Sequence, residues 1–357
     1  GVKPNVKNKI QAIGISGVEF EQKYQRNYPF KEAFSTLLGL TSEKDKGLDG
    51  VEFAFDDQLK GVEGLRFIHV ERGNVAFDEK ILKKPAPGND VHLSIDADMQ
   101  SMVYKNVLIA KQKHRAKSVS VIVVDSRTGD ILAMVNAPAF DPENRKNLSL
   151  DAIRNRTVTD SFEPGSTFKP FVIAAALDRG LVEPLTNIDT SPGYIKLNGE
   201  TLRDFKPFGV LSVSDVLAKS SNVGTVRVAL KLSPSHMYEY YQTLGFGKPP
   251  NLPLGGLAKG KLSSWKNWDA VTRATISYGH GVSVSLAQLA QAYTVFAREG
   301  DLIPISLFKK NFQRRGIQVF SYESVKSVRS MLERASSSLG TGVQAQVDGF
   351  RIAGKTG

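Results

Sequence analysis

Strand-like segments stand at both ends of a long run of helical ones, and that order points to an α+β layer architecture in which helices pack over a sheet. Segments 119–125 and 131–136 are apolar strands separated by Ser126-Arg127-Thr128-Gly129-Asp130, a hairpin turn signal. Before them, segment 91–95 is strand-like and Asp96 is suited to cap a helix running towards Ala110. From Phe168 onward helical stretches dominate, at 171–177, 215–219, 223–232 and 286–296, and segment 349–353 is strand-like again. The first ninety residues differ: they mix short strand-like pieces with turn-rich spacers, and their clear helical stretch is 51–59. Prolines, glycine and charge between Lys83 and Asp90 mark a domain edge, so the expected division is 1–88, non-catalytic, and 89–357.

Composition narrows the function. With 41% hydrophobic and 23% charged residues, the chain has enough apolar material for packed cores. Its apolar runs fall short of the roughly 20 residues that span a membrane. The chain opens at Gly1 with no basic-then-apolar signal, so any targeting or anchoring segment is expected upstream. Zero cysteines exclude a disulfide scaffold, a thiolate zinc site and a cysteine nucleophile. The net charge of +11 is spread along the chain without a long basic cluster or a nucleic-acid-binding signature, which favours a solvated basic surface. No pair among His69, His92, His114, His236 and His280 has metal-ligand spacing, so neither a metal nor a cofactor is expected. His280 stands out only because it lies in a glycine-rich turn before a helix.

Chemistry concentrates in three short segments. In Glu163-Pro164-Gly165-Ser166-Thr167-Phe168-Lys169, a turn leads into a helix that begins at or near Ser166. A serine there meets unpaired backbone N–H groups that can stabilise an oxyanion. Lys169, three residues on, shares its helix face, and an amine whose pKa is lowered by apolar surroundings can take the serine proton without a histidine. An isolated S-x-x-K is more often a serine cap followed by a surface lysine. The second segment, Lys219-Ser220-Ser221-Asn222-Val223-Gly224, lies between helical stretches and on its own reads as a helix cap at Asn222. The third, Gly354-Lys355-Thr356-Gly357, offers a cation and a hydroxyl on a strand, with glycine permitting close approach. S-x-x-K, S-x-N and K-T-G in that order are far more specific together than apart, and the set is a known signature of penicillin-binding proteins and class A β-lactamases.

With Arg154-Asn155-Arg156 upstream and Ala274-Thr275-Ile276-Ser277-Tyr278-Gly279-His280-Gly281 downstream, these residues make the chain resemble the class B penicillin-binding proteins. Asn222, where elongation-type relatives usually carry Asp, is closer to the division-specific type often called penicillin-binding protein 3. The resemblance implies an antiparallel sheet flanked by helices, shared with serine β-lactamases, on a smaller N-terminal pedestal. It implies a peptidoglycan D,D-transpeptidase of septal wall synthesis, acylated and inhibited by β-lactams. Ser166 would attack a D-Ala-D-Ala stem peptide with Lys169 as base, Ser220 would relay a proton to the leaving D-Ala, and Asn222 would hold the donor's amide. Lys355, Thr356 and Gly357 would bind the terminal carboxylate, and an amine on a neighbouring stem peptide would take the acyl group. A membrane glycan polymerase and other division proteins are the implied partners, and nucleic acid is not. The implied location is the periplasmic, extracytoplasmic face of the bacterial inner membrane, held by an upstream helix. In the family, the second oxyanion donor, further strands and a closing helix follow K-T-G, so they are expected beyond Gly357.

Three rivals compete. A β-lactamase shares the first covalent step, but Glu183-Pro184-Leu185-Thr186-Asn187 lies before Ser220 instead of beyond it and has the wrong spacing for a water-activating glutamate. A β-lactam sensor or inactive scaffold would not need all three motifs intact. The pattern from Gly349 to Thr356 also fits a phosphate loop, G-x-x-x-x-G-K-[ST], yet strand formers fill it and no helix-forming stretch follows.

Overall fold

The computed structural model describes residues 2, 4–15, 17–18, 20, 26–70, 76–146, 148–310, 312 and 315–357. The strands Val119–Val124 and Ile131–Ala137 pair antiparallel from Val119↔Ala137 to Val124↔Ile131, with a bulge beside Val124. Their turn is set by Asp125, whose carboxylate accepts the Arg127 N–H at 2.8 Å, and by Gly129 at φ +80°. A Cβ on Gly129 would lie 2.4 Å from the Pro304 carbonyl oxygen, so only glycine lets segment 303–306 lie against the hairpin. The Ala97–Lys113 helix packs on this pair, capped by Asp96, which accepts the Met99 N–H at 2.8 Å. Gln100 is buried within it, donating to the carbonyls of Ala33 and Met134 and accepting the Met134 N–H. The Leu286–Ala297 helix also packs against the first strand. The hairpin and the Asp96-capped helix follow the sequence reading, but segment 91–95, expected as a strand, forms none and leads into the helix as irregular backbone; helix and strand are mixed in α+β fashion.

The second half is helical around one buried rod. Every residue from Lys169 to Ala176 in the Lys169–Asp178 helix is buried, as expected of a helix that is apolar all round. The Val213–Ala218, Asn222–Ala229, Pro234–Thr243 and Tyr322–Ala335 helices pack against it. Phe168, Phe171, Tyr241, Phe246 and Phe296 interlock there at ring separations of 4.7–6.3 Å. Each such ring contributes about 1.5–3 kcal/mol by burial alone. Serines at 212, 221, 233, 285 and 321 cap the helices that follow them, each accepting an N–H three residues on.

Two further expectations need correction. The stretch 51–59 is two short helices, Gly50–Ala54 and Asp56–Leu59, interrupted at Phe55, where the Asp56 carboxylate turns to accept the Gly47 N–H at 2.7 Å. The segment 349–353 pairs with no described strand and is held instead by local turns and by Gly354 N–H donating to Leu332 O at 3.2 Å. The sheet content is five two-stranded antiparallel pairs among the described residues, without a larger sheet. Contacts also run between the residues on either side of segment 83–90. Leu37 and Val51 share one apolar cluster with Ile131, Met134, Ala287 and Leu307, and the buried Asn136 amide donates to Thr36 Oγ1 and Asn155 Oδ1.

Candidate active site

Ser166 lies in a 3-10 turn, Gly165–Phe168, that runs directly into the Lys169–Asp178 helix. The sequence places it at the helix start; it sits one tight turn earlier, and its carbonyl accepts the Lys169 N–H. In a 3-10 turn residues three apart eclipse, so Ser166 and Lys169 lie one above the other. The turn is gripped on several sides. Gly165 N–H donates to Gly279 O at 3.1 Å, and Thr167 Oγ1 donates to Pro164 O at 2.6 Å. The buried Tyr293 hydroxyl donates to Thr167 O at 2.6 Å, and Glu163 accepts the Gly281 N–H at 2.8 Å. Phe162 and Val284 form an antiparallel bridge. Gly279, at φ +85°, comes so near that a Cβ there would stand 2.2 Å from the Gly165 oxygen.

Lys169 is fully buried, and its Nζ donates to Ser220 O at 2.5 Å and Ser220 Oγ at 3.2 Å. Lys355 Nζ donates to the same Oγ at 2.9 Å and to Thr356 O at 2.9 Å. Two amines therefore converge on one hydroxyl. Burial lowers the Lys169 pKa to about 7, helped by the charge of Lys355 and opposed by that of Asp204. Burial lowers Lys355 to about 8. Ser220 is held at φ +59°, a conformation that costs a non-glycine residue about 1–3 kcal/mol and persists where the surroundings impose it. It is imposed here by the junction of two helices: Ser220 N–H and Ser221 N–H donate back to Leu217 O and Val216 O, and the next helix starts at Asn222.

The helix cap is Ser221, not Asn222. Ser221 Oγ accepts the Gly224 N–H at 2.9 Å and donates to Asp204 Oδ2 at 2.7 Å, while Asn222 is the first helical residue. Asn222 Nδ2 donates to Arg203 O at 2.9 Å. Thr356 Oγ1 pairs with Thr341 Oγ1 at 2.7 Å, and a Cβ on Gly357 would meet Thr167 Cγ2 at 3.4 Å, beside the Ser166 turn. The three motifs, 51 and 135 residues apart along the lysine–serine contacts, thus meet at Ser220. Lys355 Nζ is engaged by Ser220 Oγ and by the carbonyl of its neighbour Thr356.

Residues that sequence reasoning did not single out complete the site. Asp204 binds Ser221 from a position 17 residues away, beyond any helical or strand period. Gly279 and Glu163 stood in quoted motifs, but only the fold makes them neighbours of one another's loops. His280 is exposed, with its ring 5.2 Å from that of Tyr278.

Residues 119–357 match the penicillin binding protein transpeptidase domain, and residues 4–93 match the penicillin-binding protein dimerisation domain. The probable peptidoglycan D,D-transpeptidase PbpC of Pseudomonas aeruginosa is 37% identical over 358 residues, covering 100% of this chain and 63% of that protein. The peptidoglycan D,D-transpeptidase FtsI of Escherichia coli K12 is 35% identical over 356 residues, covering 100% of this chain and 60% of its own length. The solved apo transpeptidase domain of Burkholderia pseudomallei penicillin-binding protein 3 is 41% identical with a TM-score of 0.69, covering 76% of this chain and 78% of that one. The chain spans about three fifths of the length of these curated relatives.

Proposed function

This chain belongs to the penicillin-binding protein transpeptidase family, and from that premise we propose that it is the catalytic part of a peptidoglycan D,D-transpeptidase serving septal wall synthesis. The observation that carries the chemistry is the fully buried Lys169, three residues after Ser166, with its pKa lowered to about 7 and its Nζ on Ser220. At neutral pH a large fraction of that amine is free to accept a proton. Ser166 Oγ attacks the carbonyl of the penultimate D-Ala, and its proton passes to Lys169. The Ser166 N–H, at the open end of the 3-10 turn, faces the developing oxyanion.

Collapse of that intermediate breaks the D-Ala–D-Ala amide bond and leaves a Ser166 ester. The departing amine takes its proton by way of Ser220, which touches both Lys169 and Lys355. An acceptor amine then attacks the ester, a new amide forms, and the proton returns through Lys169 to Ser166. Lys355 and Thr356 supply the cation and hydroxyl for the donor's terminal carboxylate, with Gly357 beside them, and Asn222 faces the donor's amide. β-Lactams, which carry a carboxylate near a strained amide, enter by the same first step. Peptidoglycan stem peptides are the substrates in this reading. A membrane glycan polymerase and division proteins are partners, and the protein works at the extracytoplasmic face of the inner membrane. No helix among the described residues is long and apolar enough to cross a membrane.

The test is mass spectrometry of the full-length protein after exposure to penicillin. One adduct on Ser166, absent in Ser166→Ala and persisting for many minutes to hours after free drug is removed, is the expected result. An adduct elsewhere would overturn the site. Release within seconds, with excess drug destroyed by catalytic amounts of protein, would make it a hydrolase.

A further inference from the structure

The hairpin formed by strands Tyr194–Leu197 and Glu200–Arg203 pairs Tyr194 with Arg203 and ends in Asp204 beside the S-x-N segment. Asp204 accepts three hydrogen bonds from consecutive residues of that segment: Ser221 Oγ at 2.7 Å, Asn222 N–H, and Val223 N–H at 3.0 Å. The preceding residue adds a fourth contact, since Arg203 O accepts from the Asn222 side chain at 2.9 Å. Its guanidinium is itself stacked 5.2 Å over Tyr194 in the hairpin. A carboxylate collecting two backbone N–H groups at a helix start is strongly held there, through charge-assisted hydrogen bonds and the helix dipole.

We propose that Asp204 is a positioning residue for the acyl transfer, clamping Ser221–Val223 directly after Ser220 and placing a negative charge that counters Lys355 at Lys169. The proposal rests on the transpeptidase reading and adds a residue outside all three motifs. Ser220 keeps its left-handed conformation because the residues on either side are fixed, and Asp204 fixes those on the C-terminal side. The same carboxylate opposes the lowering of the Lys169 pKa, whereas Lys355 promotes it. Other charges on the packed helices face elsewhere or lack a direct partner: Asp178 accepts from Tyr240, Asp215 binds Arg334, and the Arg227 Nε is buried without a hydrogen-bond partner.

The sign of the effect follows. Acylation needs the free amine, so its rate rises with pH through the Lys169 pKa. Removing the Asp204 charge lets that pKa fall further, and the rising limb of the rate profile moves to lower pH.

The experiment measures second-order acylation by penicillin across pH on the full-length protein, with wild type, Asp204→Asn and Asp204→Glu. Asp204→Asn is expected to move the limb to lower pH. Asp204→Glu keeps the charge on a longer arm, so its limb stays in place while its plateau falls, by up to roughly a hundredfold if the loop shifts by about 1 Å. Coincident limbs for all three proteins, or an Asn variant as fast as wild type at every pH, overturn the proposal. If wild type forms no Ser166 adduct, the transpeptidase reading itself fails, a result distinct from either. Should Asp204→Asn not fold, the Glu variant decides alone: an unreduced plateau sinks the proposal.

Discussion

Replacing Gly279 by alanine puts a methyl group into the turn that carries Ser166, the proposed nucleophile, without touching any residue of the three motifs. The new Cβ would stand 2.2 Å from Gly165 O and 2.5 Å from Gly165 N, whereas ordinary contact begins at 3.4 Å. Backbone must therefore move by more than an ångström, and Gly165 immediately precedes Ser166. Misplacement of about 1 Å at reacting atoms costs on the order of a hundredfold in rate. Gly279 also sits at φ +85°, which adds strain of about 1–2 kcal/mol whatever the space. Gly281→Ala separates the two effects. Its φ of +73° imposes comparable strain, but the nearest atoms to its Cβ are 3.8 and 3.9 Å away, and its N–H remains available to Glu163. Both variants should lose stability to the φ strain, Gly279→Ala more because of its clash, while stopped-flow acylation by a chromogenic cephalosporin should fall by roughly a hundredfold in Gly279→Ala and only a few-fold in Gly281→Ala. Equal acylation rates in the two variants would refute the idea that close packing of Gly279 on Gly165 sets the nucleophile's position.

Lys169→Met should leave a protein that melts higher than wild type yet acylates about 100- to 10,000-fold more slowly, because a fully buried amine beside a second cation costs stability that a thioether of similar length does not. Differential scanning fluorimetry and drug labelling read the two quantities, and a lower melting temperature would contradict the desolvation account. Tyr293→Phe removes the hydroxyl that donates to Thr167 O. It should cost about 1 kcal/mol of stability and slow acylation without shifting its pH limb, so a moved limb in the same rate measurement would show that Tyr293 acts on Lys169 directly.

The parts of this protein that could be read from sequence are those whose causes are local. Asp96 caps its helix because an N-cap needs only its own side chain and an N–H three residues on, and the 119–125/131–136 hairpin follows from two apolar runs and a turn signal. The S-x-x-K, S-x-N and K-T-G segments were visible as patterns, though the pattern alone left Asn222 as the cap where Ser221 serves. What stayed hidden has long-range causes. Asp204 is defined by a hairpin that delivers it to Ser221, and no spacing rule connects the two. The break at Phe55 depends on Asp56 reaching back to Gly47, and the extended rather than paired segment before Lys355 depends on which strands lie alongside it.

The apolar cluster that joins Leu37 and Val51 to Ile131 and Met134, with the Asn136 amide bridging to Thr36, makes part of the first ninety residues a structural member of the catalytic half. Opening one side exposes the other, so the Glu32–Leu38 helix and the Ile131–Ala137 strand should exchange their amide hydrogens as one cooperative unit. A displacement felt at that helix is then passed to the strand as rigid-body movement, because a close-packed interface slides or separates but does not stretch.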